Sequence, residues 1–246
     1  MGKFTLLDCR LFAGGADLSG ASNKIELSAE MEEKDATNYR SGGWKEVRAG
    51  IGSAEAAAEG FWEAGDDGLV DDASWAQLGS VGAWSIGPVD SAVGDLAYFM
   101  KALRADYKLG DQVGELAPWT GMAKSAWPLV RGAFAHPPGT ARTATADGTA
   151  QQLGAVSAGQ RLYASLHVLS VAGTSAPTIT VEIESDSQED FAGTPETRLS
   201  FTAATARSGQ ILRTAVGAHA DTWYRPTWTI TGTNPSFLFV VALGIR

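Results

Sequence analysis

Between Ile25 and Glu32 apolar and polar residues alternate one by one, with Ile25, Leu27, Ala29 and Met31 set against Glu26, Ser28, Glu30 and Glu32. A two-residue period places the sets on opposite faces of a strand with one buried and one wet side. The alternation stops at Lys34. From Glu32 to Trp44 the chain carries charges, Asn38, Ser41 and the pair Gly42 and Gly43. That composition buries no face and predicts a projecting loop or open hairpin. Regular structure resumes at KEVRAGI. In the following SAEAAAEGFW, Ala and Glu favour a helix while Gly60, Phe61 and Trp62 suit a strand.

The remaining elements follow from the same signals. Met1 to Gly20 reads as a β-hairpin: Phe4, Leu6 and Asp8 share one face, Cys9 lies inside a strand, Leu11 begins the return, and Gly14-Gly15 supplies turn geometry. Asp71 or Asp72 is placed to cap a short helix running to Leu78, with Gly79 ending it. AWSIGPVD predicts a strand broken at Gly87-Pro88. DLAYFMKALRADYKLG is too irregular for periodicity to decide, and its aromatics Tyr98, Phe99 and Tyr107 favour strand. VGELAPWTGMA and AWPLVRGAFA read as the closing strands of the first half.

His136-Pro137-Pro138-Gly139 interrupts pairing and predicts a boundary, dividing the chain into separable units 1–138 and 139–246. Beyond it, TITVEIES and SFLFVVALGI alternate cleanly. Further strands are expected near Gln151 to Val156, Arg161 to Val171, Arg198 to Phe201, Gln210 to Val216 and Thr222 to Thr231, with Ser185 to Pro195 and Thr231 to Pro235 as exposed connections. This density of short strands and turns is the signature of a β-sandwich. The chain is therefore expected to be all-β with one short helix.

Composition narrows the chemistry. With 246 residues and 44% hydrophobic content the chain has material for a sizeable core. No apolar run reaches the length of a membrane span, and MGKFTLLDCR lacks a signal peptide's apolar core, which predicts synthesis and folding in a cytoplasm and no membrane partner. A net charge of −9 argues against a protein that grips nucleic acid, but not against one that lets it slide past. The single cysteine forms no internal disulfide and reads as a small buried hydrophobe.

No nucleotide-binding glycine loop, zinc-spaced Cys/His set or GxSxG elbow is present. Asp66, Asp67, Asp71 and Asp72 lack the alternating ligands and final Glu of a calcium loop. His136, His167 and His219 fall in a linker, a strand and a turn, without sequence partners for a triad or metal site. Asp186, Glu189 and Asp190 would pair for glycoside hydrolysis only if desolvated, whereas charge on a loop is usually solvated. These negatives point away from an enzyme and from any cofactor. Eight tryptophans raise a sugar-stacking alternative, a carbohydrate-binding or other surface or adhesion module. Trp223 and Trp228, five apart, point to opposite faces of an extended strand and form no flat platform.

The order of elements resembles the tail tube (major tail) proteins of long-tailed bacteriophages. A hairpin turns at Asp17-Leu18-Ser19, a first long strand ends in Lys34-Asp35-Ala36-Thr37, and Gly43-Trp44 precedes a strand running into Glu59-Gly60-Phe61-Trp62. The resemblance covers the chain well to about Thr140 and loosely thereafter. It implies a strand for SAEAAAEGFW and a tail-tube-type β-barrel or sandwich followed by an appended C-terminal β-sandwich. By the same resemblance the protein is a non-enzymatic structural subunit of a virion tail, made in the bacterial host cytoplasm. Its copies would form rings, hexameric in that family, stacked into a tube through which DNA passes, alongside a tape measure and a tail terminator. A stacking loop is expected at Glu32, Glu33, Lys34, Asp35, Asn38 and Arg40, with Trp44 anchoring its base, and channel-lining acids at Glu26, Glu30, Glu55 and Glu59.

Overall fold

The computed structural model describes residues 5–110 and 114–246; Phe4 and Val113, assigned to strands above, lie outside them. Paired strands among the described residues are antiparallel and join one curled sheet. β1 (Arg10–Ala13) and β2 (Ala16–Asp17) form the first hairpin. β3 (Ser22–Asp35) and β4 (Val47–Phe61) form a long ribbon, and α1 (Val70–Gln77) follows. β5 (Val81–Gly87), β6 (Leu96–Arg104), β7 (Lys108–Leu109), β8 (Pro118–Ser125) and β9 (Val130–His136) complete the first half. The second half holds β10 (Ala146–Asp147), β11 (Gln151–Gln152), β12 (Leu162–Asp186), β13 (Glu196–Ser200), β14 (Ser208–Arg213) and β15 (Trp223–Ile245).

Several expectations are corrected. The first hairpin spans only Arg10–Asp17 and turns at Gly14-Gly15, Gly14 having φ +55°. Leu6, Asp8 and Cys9 precede it. Asp17-Leu18-Ser19 is a separate turn held by the Ser19 N–H on the Asp17 carboxylate at 3.0 Å. Burial pushes the Cys9 thiol up, in keeping with a half-buried apolar role. Neither Asp71 nor Asp72 caps the helix. Leu69 occupies the cap without a side-chain bond, and both acids sit in the first turn, where the helix dipole still favours them. Thr231 to Pro235 is no connection but a bend within β15, matched by one in β12 where Ser175 and Ala176 take positive φ. The two predicted strands on either side of each bend are therefore single strands.

SAEAAAEGFW is strand, because Ala54, Ala56 and Ala58 turn inward and are buried. Their small size lets β4 lie close over Trp84 and Trp119 in a core shared with Leu11, Val70 and Met100. Gly60 has no room for a methyl group, which would overlap the Ala21 carbonyl. In the same region the Arg104 guanidinium is buried between the Trp84 and Trp119 rings, 5.9 and 5.6 Å from their centroids. Its Nε–H donates to the Asp106 carbonyl at 3.3 Å, and burial lowers its pKa.

A second core in the C-terminal half packs β12 against β15 through Leu166, Val181, Ile183, Trp228, Phe237 and Phe239. A third combines Phe12, Phe99 and Phe134 of the first half with Tyr163, Leu169 and Val240 of the second. β9 pairs with β6 on one side and β15 on the other, so the sheet runs on past Pro137-Pro138. Across this seam lies a buried polar chain. His167 Nδ1–H donates to the Gly14 carbonyl at 2.8 Å, and its Nε2 accepts from Ser85 at 2.8 Å. Ser85 in turn meets Ser165 at 2.9 Å. His136 ends β9 rather than lying in a linker: it stacks on Phe239 at 4.0 Å, donates to that residue's carbonyl and accepts from Arg142 at 3.0 Å. Burial lowers both histidines to about 4.

Candidate assembly interface

The β3–β4 ribbon carries most of the residues singled out from the sequence. β8 flanks β4 from Phe61↔Pro118 to Glu55↔Lys124, and the last contact is the Ala54 N–H on Ser125 Oγ at 2.8 Å. Beyond that point neither edge of the ribbon has a pairing partner among the described residues. A two-stranded ribbon alone is marginal in water, and this one leaves Met31, Val47 and Ile51 in solvent.

Register places the four candidate channel acids together. Glu26 pairs with Ala57, Glu30 with Ser53, Ser28 with Glu55 and Lys24 with Glu59. Directly opposed residues in an antiparallel pair share a face, so Glu26, Glu30, Glu55 and Glu59 occupy one side, opposite the face that buries Ala54, Ala56 and Ala58. Lys24 bridges Glu26 and Glu59 at 3.1 and 3.2 Å, and Lys124 approaches Glu55 at 3.9 Å. Glu30 has no cationic partner among the described residues.

The projecting loop is shorter than expected, Ala36 to Glu46. Glu32, Glu33, Lys34 and Asp35 belong to β3, because a bulge between Met31 and Glu33 absorbs the lapse in alternation and pairing continues to Asp35↔Val47. Glu32 and Lys34 form an ion pair on the strand. The loop is internally bonded. Asp35 accepts from the Thr37 N–H at 2.8 Å, Asn38 Oδ1 accepts from the Arg40 N–H at 2.9 Å, and Ser41 Oγ accepts from the Asn38 N–H at 3.0 Å. Trp44 does not anchor the loop's base. It is 82% exposed, and Tyr39, in the same loop, is wholly exposed.

The alternative sites resolve into structural roles. Asp66 accepts from the Gly68 N–H and pairs with Arg207 at 3.0 Å, Asp71 accepts from Trp62 and Tyr107, and Asp72 accepts from the Gly65 N–H. Asp186 is buried and accepts from Ser187 and Gln188, while Asp190 accepts from the Ala192 N–H. Trp228 is core, with its indole N–H on the Ala144 carbonyl at 3.1 Å, and Trp223 is half-buried. His219 lies beside Tyr224. Sequence reasoning missed the exposed apolar residues Phe61, Trp75, Leu109 and Leu116 near the ribbon's other end. Their only signal was an apolar residue in an otherwise polar neighbourhood.

No protein-family model matches the chain, and no curated protein matches it. Among solved structures it is similar to a chain of the virion of the native gene transfer agent particle, at 17% identity and TM-score 0.44, over 51% of this chain and 96% of that one. It is similar also to a chain from the tail of the empty gene transfer agent particle, refined with C6 symmetry, at 20% identity and TM-score 0.40, over 50% and 92%. A third likeness is to the SPP1 Dit (gp 19.1) protein, described as a paradigm of the hub adsorption apparatus in phages infecting Gram-positive hosts, at 11% identity and TM-score 0.33, over 97% and 99%.

Proposed function

We propose that the chain is a structural, non-enzymatic subunit of a phage tail whose copies self-assemble into stacked rings forming the tail tube, the channel for DNA delivery. The observation that carries this reading is the β3–β4 ribbon. Its outer half has two open edges, exposed Met31, Val47 and Ile51, and an ordered loop presenting Tyr39 and Trp44. Lateral pairing between neighbours would satisfy the edges, and stacking would cover the loop. The sequence resemblance supports the same conclusion, with hexameric rings and with tape measure and tail terminator as tail partners.

The glutamate face formed by Glu26, Glu30, Glu55 and Glu59 lines the channel in this reading. Carboxylates facing DNA phosphates repel them within a Debye length of about 8 Å in physiological salt, so DNA slides without sticking. Residues 1–138 build the tube and residues 139–246 form the part displayed outside it, the two joined by their shared core. The test is electron microscopy and light scattering of purified protein at rising concentration. Rings or tubes with a central channel are expected. A strictly monomeric species that binds polysaccharide would support the adhesion-module reading instead.

A further inference from the structure

In a chain of net charge −9, one end of the core between the two halves gathers cations. That core packs β5 and β6 against β12, β14 and β15. Lys101 follows Ala97 and Phe99 at two-residue steps along β6, and Arg213 follows Ile211 along β14, so both leave the backbone on the face that makes this core. They end against one indole. Lys101 Nζ stands 4.8 Å and the Arg213 guanidinium carbon 4.2 Å from the centroid of Trp127, whose edge meets Tyr163 at 6.4 Å. Arg161 precedes Tyr163 by two residues on the same face and donates to the Thr214 carbonyl at 2.8 Å. Arg246 is bonded to Arg161 through both backbones, at 2.7 and 3.0 Å, and its side chain donates to the Leu129 carbonyl, two residues past Trp127.

No carboxylate among the described residues pairs with any of these four cations. The segments that frame them, 81–87, 96–104, 125–136, 157–169, 208–219 and 236–246, hold no Asp or Glu, although the chain has 28. Glu30 of β3 is the one acid in the cleft that Trp127 and Arg246 line. Lys101, Arg161 and Arg213 are half-buried and Arg246 is exposed, so the cluster is open to solvent.

We propose that this cluster is an oxyanion site whose ligand is a phosphate dianion, either the free ion or a terminal phosphomonoester. Like charges gathered on one ring repel, and an anion set between them removes that repulsion. The guanidinium forks of Arg161 and Arg213 match phosphate oxygens, and Lys101 adds a point charge. A carboxylate or a phosphodiester brings a single negative charge to this group of cations, whereas a phosphomonoester or inorganic phosphate brings two. The Trp127 ring is already engaged by two cations and the Tyr163 edge, so the site reads charge rather than a stacked sugar or base. Lys101 comes from the first half, and Arg161, Arg213 and Arg246 come from the second. The ligand therefore bridges the seam and stabilises the docked halves. The site is a property of the single chain and stands whether or not copies form tubes.

Titration calorimetry of the full chain with inorganic phosphate and with glycerol 3-phosphate tests this, at about pH 8, where both are dianions, and at low, fixed ionic strength. Saturable binding is expected, with acetate and dimethyl phosphate at least about tenfold weaker. Binding should raise the melting temperature, because the ligand holds only the folded chain. Glycerol 3-phosphate binding as well as inorganic phosphate would assign the site to esterified phosphate too, and binding of inorganic phosphate alone would assign it to the free ion. Lys101→Gln and Arg213→Gln should each weaken phosphate binding about tenfold, with circular dichroism and melting without ligand checking the fold. Arg131→Gln should leave binding unchanged, because Val130 before it faces the core and Arg131 points away. No saturable phosphate binding at millimolar concentration, acetate binding as tightly as phosphate, or an affinity unchanged in both the Lys101 and the Arg213 variants would overturn the site.

Discussion

β12 pairs with β15 from Leu162↔Ile245 to Asp186↔Trp223, and β3 pairs with β4 from Ser22↔Gly60 to Asp35↔Val47. Both are long antiparallel ribbons, yet one is covered and the other bare. In the first, Leu162 to Leu169 is buried without interruption, and β13, β14 and β9 cover its edges in part. In the second, nearly every residue from Ala29 to Arg48 is exposed. Backbone geometry is common to both, so the difference lies in the side chains. LYASLHVL and FLFVVALGI have apolar residues on both faces, whereas the outer part of β3 has Glu on one face and only Ala29 and Met31 on the other. The first ribbon is stabilised within the chain, whereas the outer half of the second has no covering among the described residues.

The sharpest way to break this contrast is a matched pair of truncations. Phe239→Ala in β15 should cost about 3–5 kcal/mol in urea unfolding, the usual range for emptying an aromatic site in a packed core. Ile51→Ser in β4 should change monomer stability by no more than about 0.5 kcal/mol, as exposed sites do, yet reduce tube elongation. Equal losses of stability would show that the bare ribbon is packed in the monomer.

The next effect follows from the covered side of the molecule. His136 and His167 are held neutral by burial, at about 4 against the usual 6.5. The unfolded chain takes up a proton at each as pH falls through 6.5 while the folded chain does not, so stability is full above that value and declines toward pH 4. Each histidine contributes a slope of up to about 1.4 kcal/mol per pH unit in that window. Urea midpoints measured from pH 7.5 to 4.5 should fall steadily, and a flat profile would mean that neither imidazole is desolvated. β3 and β4 contain no histidine, so His167→Gln should reduce this dependence to the part that His136 supplies, without touching the β3–β4 ribbon.

Smaller effects on the fold belong to the bare ribbon. Replacing Glu33 to Gly43 with a short Gly-Ser linker should leave the melting temperature within a few degrees while preventing elongation. Tubes of normal length from that variant would remove the loop from stacking. Lys24→Ala should have no resolvable effect on stability, because its bridges to Glu26 and Glu59 are solvent-exposed. It should instead make the glutamate face more acidic, detectable as weaker retention of DNA in assembled tubes.

Much of this contrast was legible in the chain. The alternation from Ile25 to Met31 and in TITVEIES marked strands, and the five-residue spacing of Trp223 and Trp228 put them on opposite faces. What local reading could not reach were relations between distant segments. The bulge that carries β3 on to Asp35 depends on pairing with Ala49, which lies across the loop. The bends at Ser175 and Asn234 look like loop chemistry, because positive φ and glycine serve a bend within a strand as well as a turn between strands. The His167–Ser85–Gly14 chain joins three segments far apart in sequence, so no spacing announces it. The glutamate face was visible as four polar positions, but only the register of β3 on β4 puts them on one side.

On the proposed tube reading, the outer half of the β3–β4 ribbon is bare in the single chain and covered in the assembly. Hydrogen exchange followed by mass spectrometry, on dissociated and assembled protein in parallel, reads this directly. In the dissociated state the outward amides of Ser28 to Ser53 should exchange fast, while those of Leu162 to Leu169 are protected. On assembly, protection should rise in Ser28 to Ser53, the Tyr39–Trp44 loop included, and stay unchanged in Leu162 to Leu169. Assembled protein whose β3–β4 amides exchange as fast as in the dissociated state would contradict the account.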